Sequence, residues 1–201
     1  MLPTFDTETE LISSGYTAIV GIDEAGCGAL AGPVVAGAVL LEPGIELDGC
    51  RDSKLMSEKQ REEMYGAVTM KSRAWAFGQA SVEEIFKIGI RPATYLAMRR
   101  ALEQIENADF ALVDAWTIPD VAVHQRGVIK GDQKILSIAA ASIIAKVTRD
   151  RMMMKYSEQF PEYEFGAHKG YGTKAHRDAI KEHGPCPIHR LGYKTFHPTL
   201  V

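Results

Sequence analysis

The sequence predicts an α/β domain in which helices flank a mixed sheet of five strands, with a helical extension at the C-terminus. Short apolar runs in the first 125 residues alternate with segments that have helical signatures. A long segment of small apolar residues comes next, and its later part is charged. The chain has 201 residues, which is enough for one sizeable hydrophobic core.

Apolar and alternating segments predict the strands of the sheet. The first reads as a buried strand, and the second is a longer run of small and branched apolar residues. The third alternates between apolar and polar residues, and the fourth is a short apolar run that ends in Asp114. A fifth segment follows it. In chain order, the predicted strands cover residues 17–22, 33–41, 73–80, 110–113 and 121–124.

Four segments predict helices. Residues 57–68 begin with Ser57 and a charged run, which suits a capped helix. Residues 92–105 place their apolar side chains on one helical face, and Pro92 stands in the first turn. Residues 137–157 follow Asp132 and predict a buried helix that emerges into solvent, and residues 173–183 predict another helix.

The composition is that of an ordinary globular protein rather than a membrane protein. No run approaches the length of a membrane span. The N-terminus is acidic and lacks the positive region and apolar block of a signal peptide. Cys27, Cys50 and Cys186 are an odd number without framework spacing, so we expect a cytoplasmic protein. We also expect a monomer.

The formal net charge of −3 hides an asymmetry along the chain. Residues 126–201 carry 13 Lys and Arg against 7 Asp and Glu, whereas residues 1–125 carry 10 against 19. Such a bias often reflects a solvated surface and no more. It also fits a surface for the phosphate backbone of a nucleic acid in the C-terminal part, facing an acidic metal site formed mostly upstream.

Residues 20–28 are the most informative segment and read Val-Gly-Ile-Asp-Glu-Ala-Gly-Cys-Gly. Two adjacent carboxylates, Asp23 and Glu24, end an apolar strand and should leave it in different directions. The glycines that follow let backbone N–H groups approach a ligand closely. An acid pair beside open backbone indicates a site for metal ions and a phosphate group.

Four acids fall at the ends of predicted elements: Asp23, Glu24, Asp114 and Asp132. The carboxyl ends of strands are where α/β folds tend to place ligands. Hard divalent ions such as Mg²⁺ and Mn²⁺ prefer oxygen ligands, and carboxylates supply them. Two such ions can clamp the attacking and leaving oxygens of a phosphodiester. Together the four acids therefore predict a two-metal site.

Each acid taken alone has a simpler explanation. Asp132 in isolation is better explained as the cap of the helix that follows, because Asp is a favoured N-cap. Asp114 in isolation suits a turn, and the Asp23–Glu24 pair is equally compatible with a solvated loop. Asp150 lies 18 residues beyond Asp132, about 27 Å along a continuous helix, and is interpreted as a surface acid outside the cluster.

Short motifs stand in a specific order along almost the whole chain. They are residues 21–28 with 32–33, 52–55, 93–98, 113–114, 130–132 leading into 137–150, 168–173 and 189–190. In this order and spacing they resemble the ribonuclease HII family, the prokaryotic type 2 ribonucleases H. The resemblance runs from residue 19 to residue 197.

The resemblance implies a single ribonuclease H-like catalytic domain over residues 1–201. Within it, residues 1–16 form an N-terminal lead and residues 160–201 a substrate-binding extension. The implied activity is endonucleolytic cutting of the RNA strand in RNA/DNA hybrids, and of the 5′ side of ribonucleotides embedded in duplex DNA. The products would carry a 3′-hydroxyl and a 5′-phosphate. The implied cofactors are two Mn²⁺ or Mg²⁺ ions on Asp23, Glu24, Asp114 and Asp132.

The resemblance also implies the substrate contacts. The backbone of Gly26, Cys27 and Gly28 would read the ribose 2′-hydroxyl, the group that distinguishes RNA from DNA. Tyr171 would contact the sugar beside the cut, and Lys54 would lie near the backbone phosphates. Without the motif, Tyr171 would be a half-buried aromatic on a glycine-rich turn. Further electrostatic contacts are expected from Lys146, Arg149, Lys169 and Arg190.

Cys27 departs from the family pattern, which has arginine at that position. A guanidinium–phosphate contact is lost with it, and a thiol beside a metal site would make the enzyme sensitive to oxidation. The alternative function is a hybrid-binding module without catalysis. The observations that favour it are Cys27 and the negative net charge. A metal-dependent phosphotransferase is a weaker alternative, since the chain has no Gly-x-x-x-x-Gly-Lys-Ser/Thr pattern and no dinucleotide fingerprint.

Overall fold

Five strands form one mixed sheet in the computed structural model, which describes residues 2–196. The strand order is β3-β2-β1-β4-β5, with β1 antiparallel to β2, β2 antiparallel to β3, and β1, β4 and β5 parallel. The strands are β1 Ile19–Ala25, β2 Val34–Leu40, β3 Ala74–Ala80, β4 Phe110–Asp114 and β5 His124–Val128. The predicted fold class is confirmed.

Seven α-helices accompany this sheet within residues 2–196. No helix in this range is long and apolar enough to cross a membrane. The helices are α1 Asp6–Ser13, α2 Glu58–Lys71, α3 Val82–Ile88, α4 Ile90–Leu102, α5 Leu136–Gln159, α6 Phe165–His168 and α7 Lys174–His183. The four predicted helices correspond to α2, α4, α5 and α7, whereas α1, α3 and α6 were not predicted.

Helix α5 is the centre of the fold and crosses the middle of the sheet. It packs on β1 and β2, and α4 covers the other side against β2 and β3. The small residues of α5 allow a very close approach. A Cβ atom added at Gly21 of β1 would lie 2.2 Å from the backbone carbon of Ser137, so only glycine fits where the helix crosses. This contact fixes α5 next to the strand that carries Asp23 and Glu24.

A carboxylate from the N-terminal segment caps α5. The residue before the helix, Ile135, offers no side-chain cap. Glu8 of α1 takes its place, because its Oε1 accepts a hydrogen bond of 2.9 Å from the backbone N–H of Ser137. The side chain is buried, its Oε2 atom has no partner within residues 2–196, and burial raises the pKa of the carboxyl above its usual value. Negative charge at a helix N-terminus is favourable.

We expect Glu8→Ala to lower the free energy of unfolding by about 1–2 kcal/mol, the range measured for lost helix caps. Glu8→Gln should cost less, because an amide oxygen can still accept from Ser137 and no charge is buried. Urea denaturation at pH 7 measures both changes. Glu10→Ala, on the exposed side of the same helix, is the matched control. Equal stability of Glu8→Ala and the wild-type protein would exclude a capping role.

One prediction about element position is wrong, and the alternative explanation of Asp132 as a helix cap does not hold. The fifth strand begins at His124 instead of Val121, because Val121 and Val123 pack against the core while His124 pairs with Phe110 of β4. Asp132 is not the cap of α5. It lies in a short 3-10 helix, Gly131–Gln133, and α5 begins only at residue 136.

Candidate active site

Adjacent parallel strands bring the first three acids to one edge of the sheet. Ile22 of β1 pairs with Val113 of β4, so Asp23 and Asp114 follow at the same level, and Glu24 comes next on β1. The carboxylate of Asp23 is buried and its Oδ1 accepts a hydrogen bond of 2.7 Å from the backbone N–H of Glu24. The expected meeting of strand-end acids is therefore seen for these residues.

Asp132 joins the group through Asp114 and Lys54. The backbone N–H of Gly131 donates a hydrogen bond of 2.7 Å to Oδ1 of Asp114, which holds the 3-10 turn against β4. The carboxylate of Asp132 is buried, and its Oδ2 lies 3.5 Å from Nζ of Lys54. Lys54 in turn lies 4.0 Å from Oδ1 of Asp52, which orients the lysine from the other side.

Negative charge accumulates in this region. Burial, together with the charges of Glu24 and Asp114, raises the pKa of Asp23 well above its usual value. Burial and Asp114 raise the pKa of Glu24 as well, and burial with Asp52 and Asp114 raises that of Asp132. The pKa of Lys54 is raised too: partial burial lowers it, but the negative charges of Asp23, Asp52 and Asp132 together raise it above the usual value and favour the charged ammonium.

This donor set fits hard divalent cations in its chemistry. All of its side-chain donors are carboxylate oxygens, and the ammonium group of Lys54 does not balance four carboxylates. Residues 2–196 contain no group of three or more His, Cys, Asp or Glu side chains already arranged to hold a metal ion. Like charges repel one another when no cation lies between them, so cations would have to draw the oxygens together.

A cavity of about 440 Å³ opens beside these acids. It brings most of the predicted substrate residues to one place, whereas Asp132 is not among the lining residues and reaches the cavity only through its contact with Lys54. The residues that line it are Asp23, Glu24, Ala25, Gly26, Cys27, Gly28, Ser53, Lys54, Asp114, Lys146 and Tyr171.

The glycine loop after β1 presents free backbone donors to this cavity. Within residues 2–196, the N–H groups of Cys27 and Gly28 have no protein acceptor. Gly26 is required by its surroundings, since it has a φ of +96° and an added Cβ would lie 2.0 Å from Nε of Arg149. Backbone groups held open in this way are suited to bind a hydroxyl or phosphate oxygen.

Arg149 and Arg190 are buried and bonded to backbone carbonyl oxygens, so neither guanidinium lies open for the electrostatic contact with substrate that the sequence predicted. The guanidinium of Arg149 is fully buried and donates to the carbonyl oxygens of Pro33, Lys169 and Ala31 at 3.0, 2.9 and 3.0 Å. Arg190 is buried too, and donates to the carbonyl oxygens of Gly32 and Cys27 at 2.9 and 3.0 Å. Both side chains tie the glycine loop to the C-terminal extension.

The two remaining basic residues predicted to contact substrate, Lys146 and Lys169, differ in their surroundings. Lys146 lines the cavity and lies 5.6 Å from the centre of the Tyr171 ring, close enough for a cation–π contact. Its ammonium is held by Asp150 at 2.7 Å, and Asp150 is buried. The interpretation of Asp150 as a surface acid is therefore wrong. Lys169 bends back to the carbonyl oxygen of Gly166 at 2.5 Å and is not among the residues lining the cavity.

Two histidines to which the sequence analysis gave no role, His176 and His189, support Tyr171. The N–H of Cys186 donates to Nδ1 of His189 at 2.8 Å, so Nε2 of His189 carries the proton and donates to Nε2 of His176 at 3.0 Å. His176 is thereby left to donate from Nδ1 to the carbonyl oxygen of Tyr171 at 3.0 Å. The concentration of histidines in the C-terminal part was the available signal, but spacing alone does not show a hydrogen-bonded chain.

Burial disfavours the charged form of His176 and His189, and also of the half-buried His168 nearby. Burial lowers the pKa of His168 and His176, and burial with the neighbouring His176 lowers that of His189 to about 4. An unfolded histidine, with a pKa of 6.5, takes up its proton first as the pH falls. The stability contributed by neutral His189 is present above pH 6.5 and is lost as the pH falls towards 4.

We expect His189→Gln to flatten the loss of stability between pH 6.5 and about 4. The contribution of His189 to this loss is about 3.5 kcal/mol at most, because the pKa falls from 6.5 to about 4 and one pKa unit corresponds to about 1.4 kcal/mol. Thermal unfolding followed across this range measures the effect. His183→Gln, at the exposed end of α7, is the control, because it removes a histidine that lies outside the hydrogen-bonded chain. If the stability of His189→Gln and of the wild-type protein depended on pH in the same way, the loss could not be assigned to His189.

The thiol of Cys27 is protected rather than activated. Its Sγ lies 3.1 Å from Oγ1 of Thr94 and 3.6 Å from Oε1 of Glu24. Burial, followed by the charge of Glu24, raises the pKa of this thiol to about 12. Since the thiolate is the form that oxidants attack, the expected sensitivity to oxidation does not follow from this environment.

Comparison with known proteins identifies close relatives over most of the chain. A family model described as ribonuclease HII matches residues 20–196. A curated ribonuclease HII from Syntrophotalea carbinolica is 48% identical over 188 residues, which cover 93% of this chain and 90% of that protein.

Solved structures of related proteins share the fold. The ribonuclease H2 from Pyrococcus horikoshii OT3 aligns with a TM-score of 0.75 at 25% identity, over 90% of this chain and 96% of that one. Bst-RNase HIII, solved in complex with Mn²⁺, aligns with a TM-score of 0.68 at 16% identity, over 91% of this chain and 69% of that one. At 16% identity the likeness shows the fold alone.

Proposed function

The chain belongs to the ribonuclease HII family, and we propose that it cuts the RNA strand of RNA/DNA hybrids and the 5′ side of ribonucleotides embedded in duplex DNA. It is a ribonuclease H. The observation that carries the finer proposal is the shared cavity, in which strand-end carboxylates lie beside a glycine loop with free backbone donors. Such a cavity combines a reaction centre with a means to recognise the sugar.

We propose that Asp23, Glu24, Asp114 and Asp132 hold two divalent cations, Mn²⁺ or Mg²⁺. When bound, these ions would supply the activation of water and the stabilisation of the leaving 3′ oxygen of a phosphodiester. The support is the all-oxygen donor set and the unbalanced negative charge of the buried carboxylates. Asp114 stands between the Asp23–Glu24 pair and Asp132 in electrostatic terms, because its charge raises the pKa of all three.

The glycine loop would recognise the ribonucleotide. The free N–H groups of Cys27 and Gly28 can donate to a ribose 2′-hydroxyl, which deoxyribose lacks. Because backbone atoms make this contact, cysteine in place of the family arginine leaves the recognition of the hydroxyl intact. Arg149 keeps the loop in position from behind through its contacts with the carbonyls of Pro33 and Ala31.

Tyr171, Lys54 and Lys146 would complete the substrate contacts. Tyr171 lines the cavity, and its backbone is fixed by the hydrogen-bonded histidines, so its ring is available to pack against a sugar. Lys54 has 73% of its side chain exposed, which leaves its ammonium free to approach a phosphate. Lys146 carries its positive charge to the same cavity beside the ring of Tyr171.

The experiment that tests the proposal uses a fluorescent DNA duplex with a single ribonucleotide. We expect cutting at the 5′ side of that ribonucleotide when Mn²⁺ or Mg²⁺ is present, with a 3′-hydroxyl product, and no cutting in EDTA. An all-DNA duplex of the same sequence is the control. Binding of the ribonucleotide duplex without cutting, with either metal, would instead identify a non-catalytic hybrid-binding module.

A further inference from the structure

A second cavity, of about 260 Å³, adjoins the acid cavity and has no role in the function proposed above. Its walls are mostly apolar, but they include an exposed tryptophan and an arginine. The residues lining it are Glu24, Cys27, Ile90, Arg91, Thr94, Tyr95, Met98 and Trp116. Glu24 and Cys27 line both cavities, so a strand lying over these two residues would reach the second cavity directly.

Trp116 is fixed to the catalytic edge of the sheet by a strained turn. Ala115, between Asp114 and Trp116, has a φ of +60°, which residues other than glycine rarely adopt. Two backbone hydrogen bonds hold this turn: the N–H of Ala115 donates to the carbonyl of Val128 at 2.9 Å, and that of Trp116 donates to the carbonyl of Asp114 at 2.7 Å. The indole therefore has a defined place two residues from a proposed metal ligand.

The indole ring remains largely open to solvent. Trp116 is 59% exposed, although an indole is among the largest apolar groups a protein can bury. The guanidinium of Arg91, at the start of α4, lies over the ring at 5.1 Å from its centre. Arg91 is exposed, and within residues 2–196 it makes no ion pair and no side-chain hydrogen bond, so its five N–H donors are available. A largely exposed indole and an unpaired guanidinium therefore lie side by side, and both are accessible to a ligand.

We propose that Trp116 and Arg91 bind a nucleotide of the duplex next to the one at the acid cavity, on the side of Glu24 away from Tyr171. The indole would stack on the base or sugar of that nucleotide, and the guanidinium would pair with its phosphate. A nucleic acid is the ligand that combines these features, and the strand must continue beyond the cut. The positive charge also offsets the repulsion between phosphates and the nearby carboxylates.

This inference rests on the proposed function, and its test measures binding independently of cutting. The protein is titrated in EDTA with a fluorescent duplex that contains one ribonucleotide. We expect Trp116→Ala to weaken binding about 10-fold, as for the loss of one stacked base, and Trp116→Phe to weaken it less. Arg91→Ala should weaken binding and reduce its salt dependence, whereas Arg91→Lys should keep that salt dependence. Trp75→Ala, which removes the other tryptophan, is the matched control.

A second measurement locates the nucleotide. In the Trp75→Phe background, Trp116 is the one remaining tryptophan of the chain, and duplex binding should quench its fluorescence. Duplexes with a single abasic site, moved one position at a time from the ribonucleotide, should lose this quenching at one position if a base stacks on the ring. Quenching that survives at every position would show that the sugar makes the contact.

The outcomes separate this inference from the proposed function. If the wild-type protein binds and cuts the duplex, and Trp116→Ala and Arg91→Ala bind as tightly as Trp75→Ala, the pair is only a surface contact and the inference is wrong. If the wild-type protein neither binds nor cuts the duplex, the proposed function fails and the inference fails with it. A selective loss of binding in the Trp116 and Arg91 variants, with unchanged melting temperatures, supports it.

Discussion

Asp23→Asn should lose at least about 1000-fold in turnover while the protein remains folded. Asp23 is buried at the end of β1 and faces the charges of Glu24 and Asp114, so it is placed to share a cation with both. An amide keeps the shape of the side chain but loses the charge. A cation at such a site contributes several kcal/mol to the stabilisation of the transition state, and about 4 kcal/mol corresponds to a 1000-fold change in rate.

Stability should move in the opposite direction to activity in this variant. Burial, Glu24 and Asp114 raise the pKa of Asp23, so the ionised carboxylate destabilises the metal-free fold at pH 7. Asp23→Asn removes that charge and should unfold at the same denaturant concentration as the wild-type protein or a higher one. Asp178→Asn, which changes an acid paired with Lys174 on α7, is the control. Near-normal turnover of Asp23→Asn would remove this residue from the metal site.

Arg149→Met should have the largest effect on stability, with a loss of about 3 kcal/mol or more. The change leaves the carbonyl oxygens of Pro33, Ala31 and Lys169 without their shared donor in a buried place. An unsatisfied buried acceptor costs about 1–3 kcal/mol. Because Arg149 also lies 5.3 Å from the centre of the Tyr171 ring, its loss should reduce kcat/KM beyond the effect on folding. Urea denaturation and initial rates measure the two effects.

Arg151→Met is the matched control for that prediction. Arg151 stands two residues further along α5, but half of its side chain is exposed and it pairs with Glu62 at the surface. Surface ion pairs contribute about 0–1 kcal/mol, so this variant should be close to wild-type stability. Arg149→Lys should not restore stability, because an ammonium cannot reach the three carbonyls as the guanidinium fork does. A fully stable Arg149→Lys variant would show that charge alone is needed at this position.

The sequence predicted the first four strands of the sheet and the long helix because their signals are local. Apolar runs mark β1 and β2, and the small residues at the start of α5 indicated a helix that packs closely. The structure explains why these residues are small, since the backbone of Ser137 lies so close to Gly21 that no Cβ atom fits between them. The cap of α5 could not be predicted, because the accepting carboxylate comes from Glu8, 129 residues away in the chain.

The sequence predicted the acids of the candidate site but not the buried side chains that hold the surrounding loops in place. Asp23 and Asp114 stand at strand ends, and parallel strands place such ends together, which is a general property of α/β sheets. The burial of Arg149 could not be read from a charged stretch such as Thr-Arg-Asp-Arg, in which Arg151 is exposed and Arg149 is not. The role of Arg149 as a donor to backbone carbonyls depends on loops that are distant in the sequence, so it can be recognised only in the folded structure.

Electron paramagnetic resonance of Mn²⁺ bound to the protein tests the central claim most directly. The sample is the wild-type protein with a ribonucleotide-containing duplex whose scissile link is an uncleavable phosphonate. We expect two bound Mn²⁺ ions whose spins couple at a separation of about 3.5–4 Å, and loss of that coupling in Asp114→Asn. Isolated, uncoupled Mn²⁺ that binds equally well to the wild-type protein and to Asp114→Asn would contradict the account.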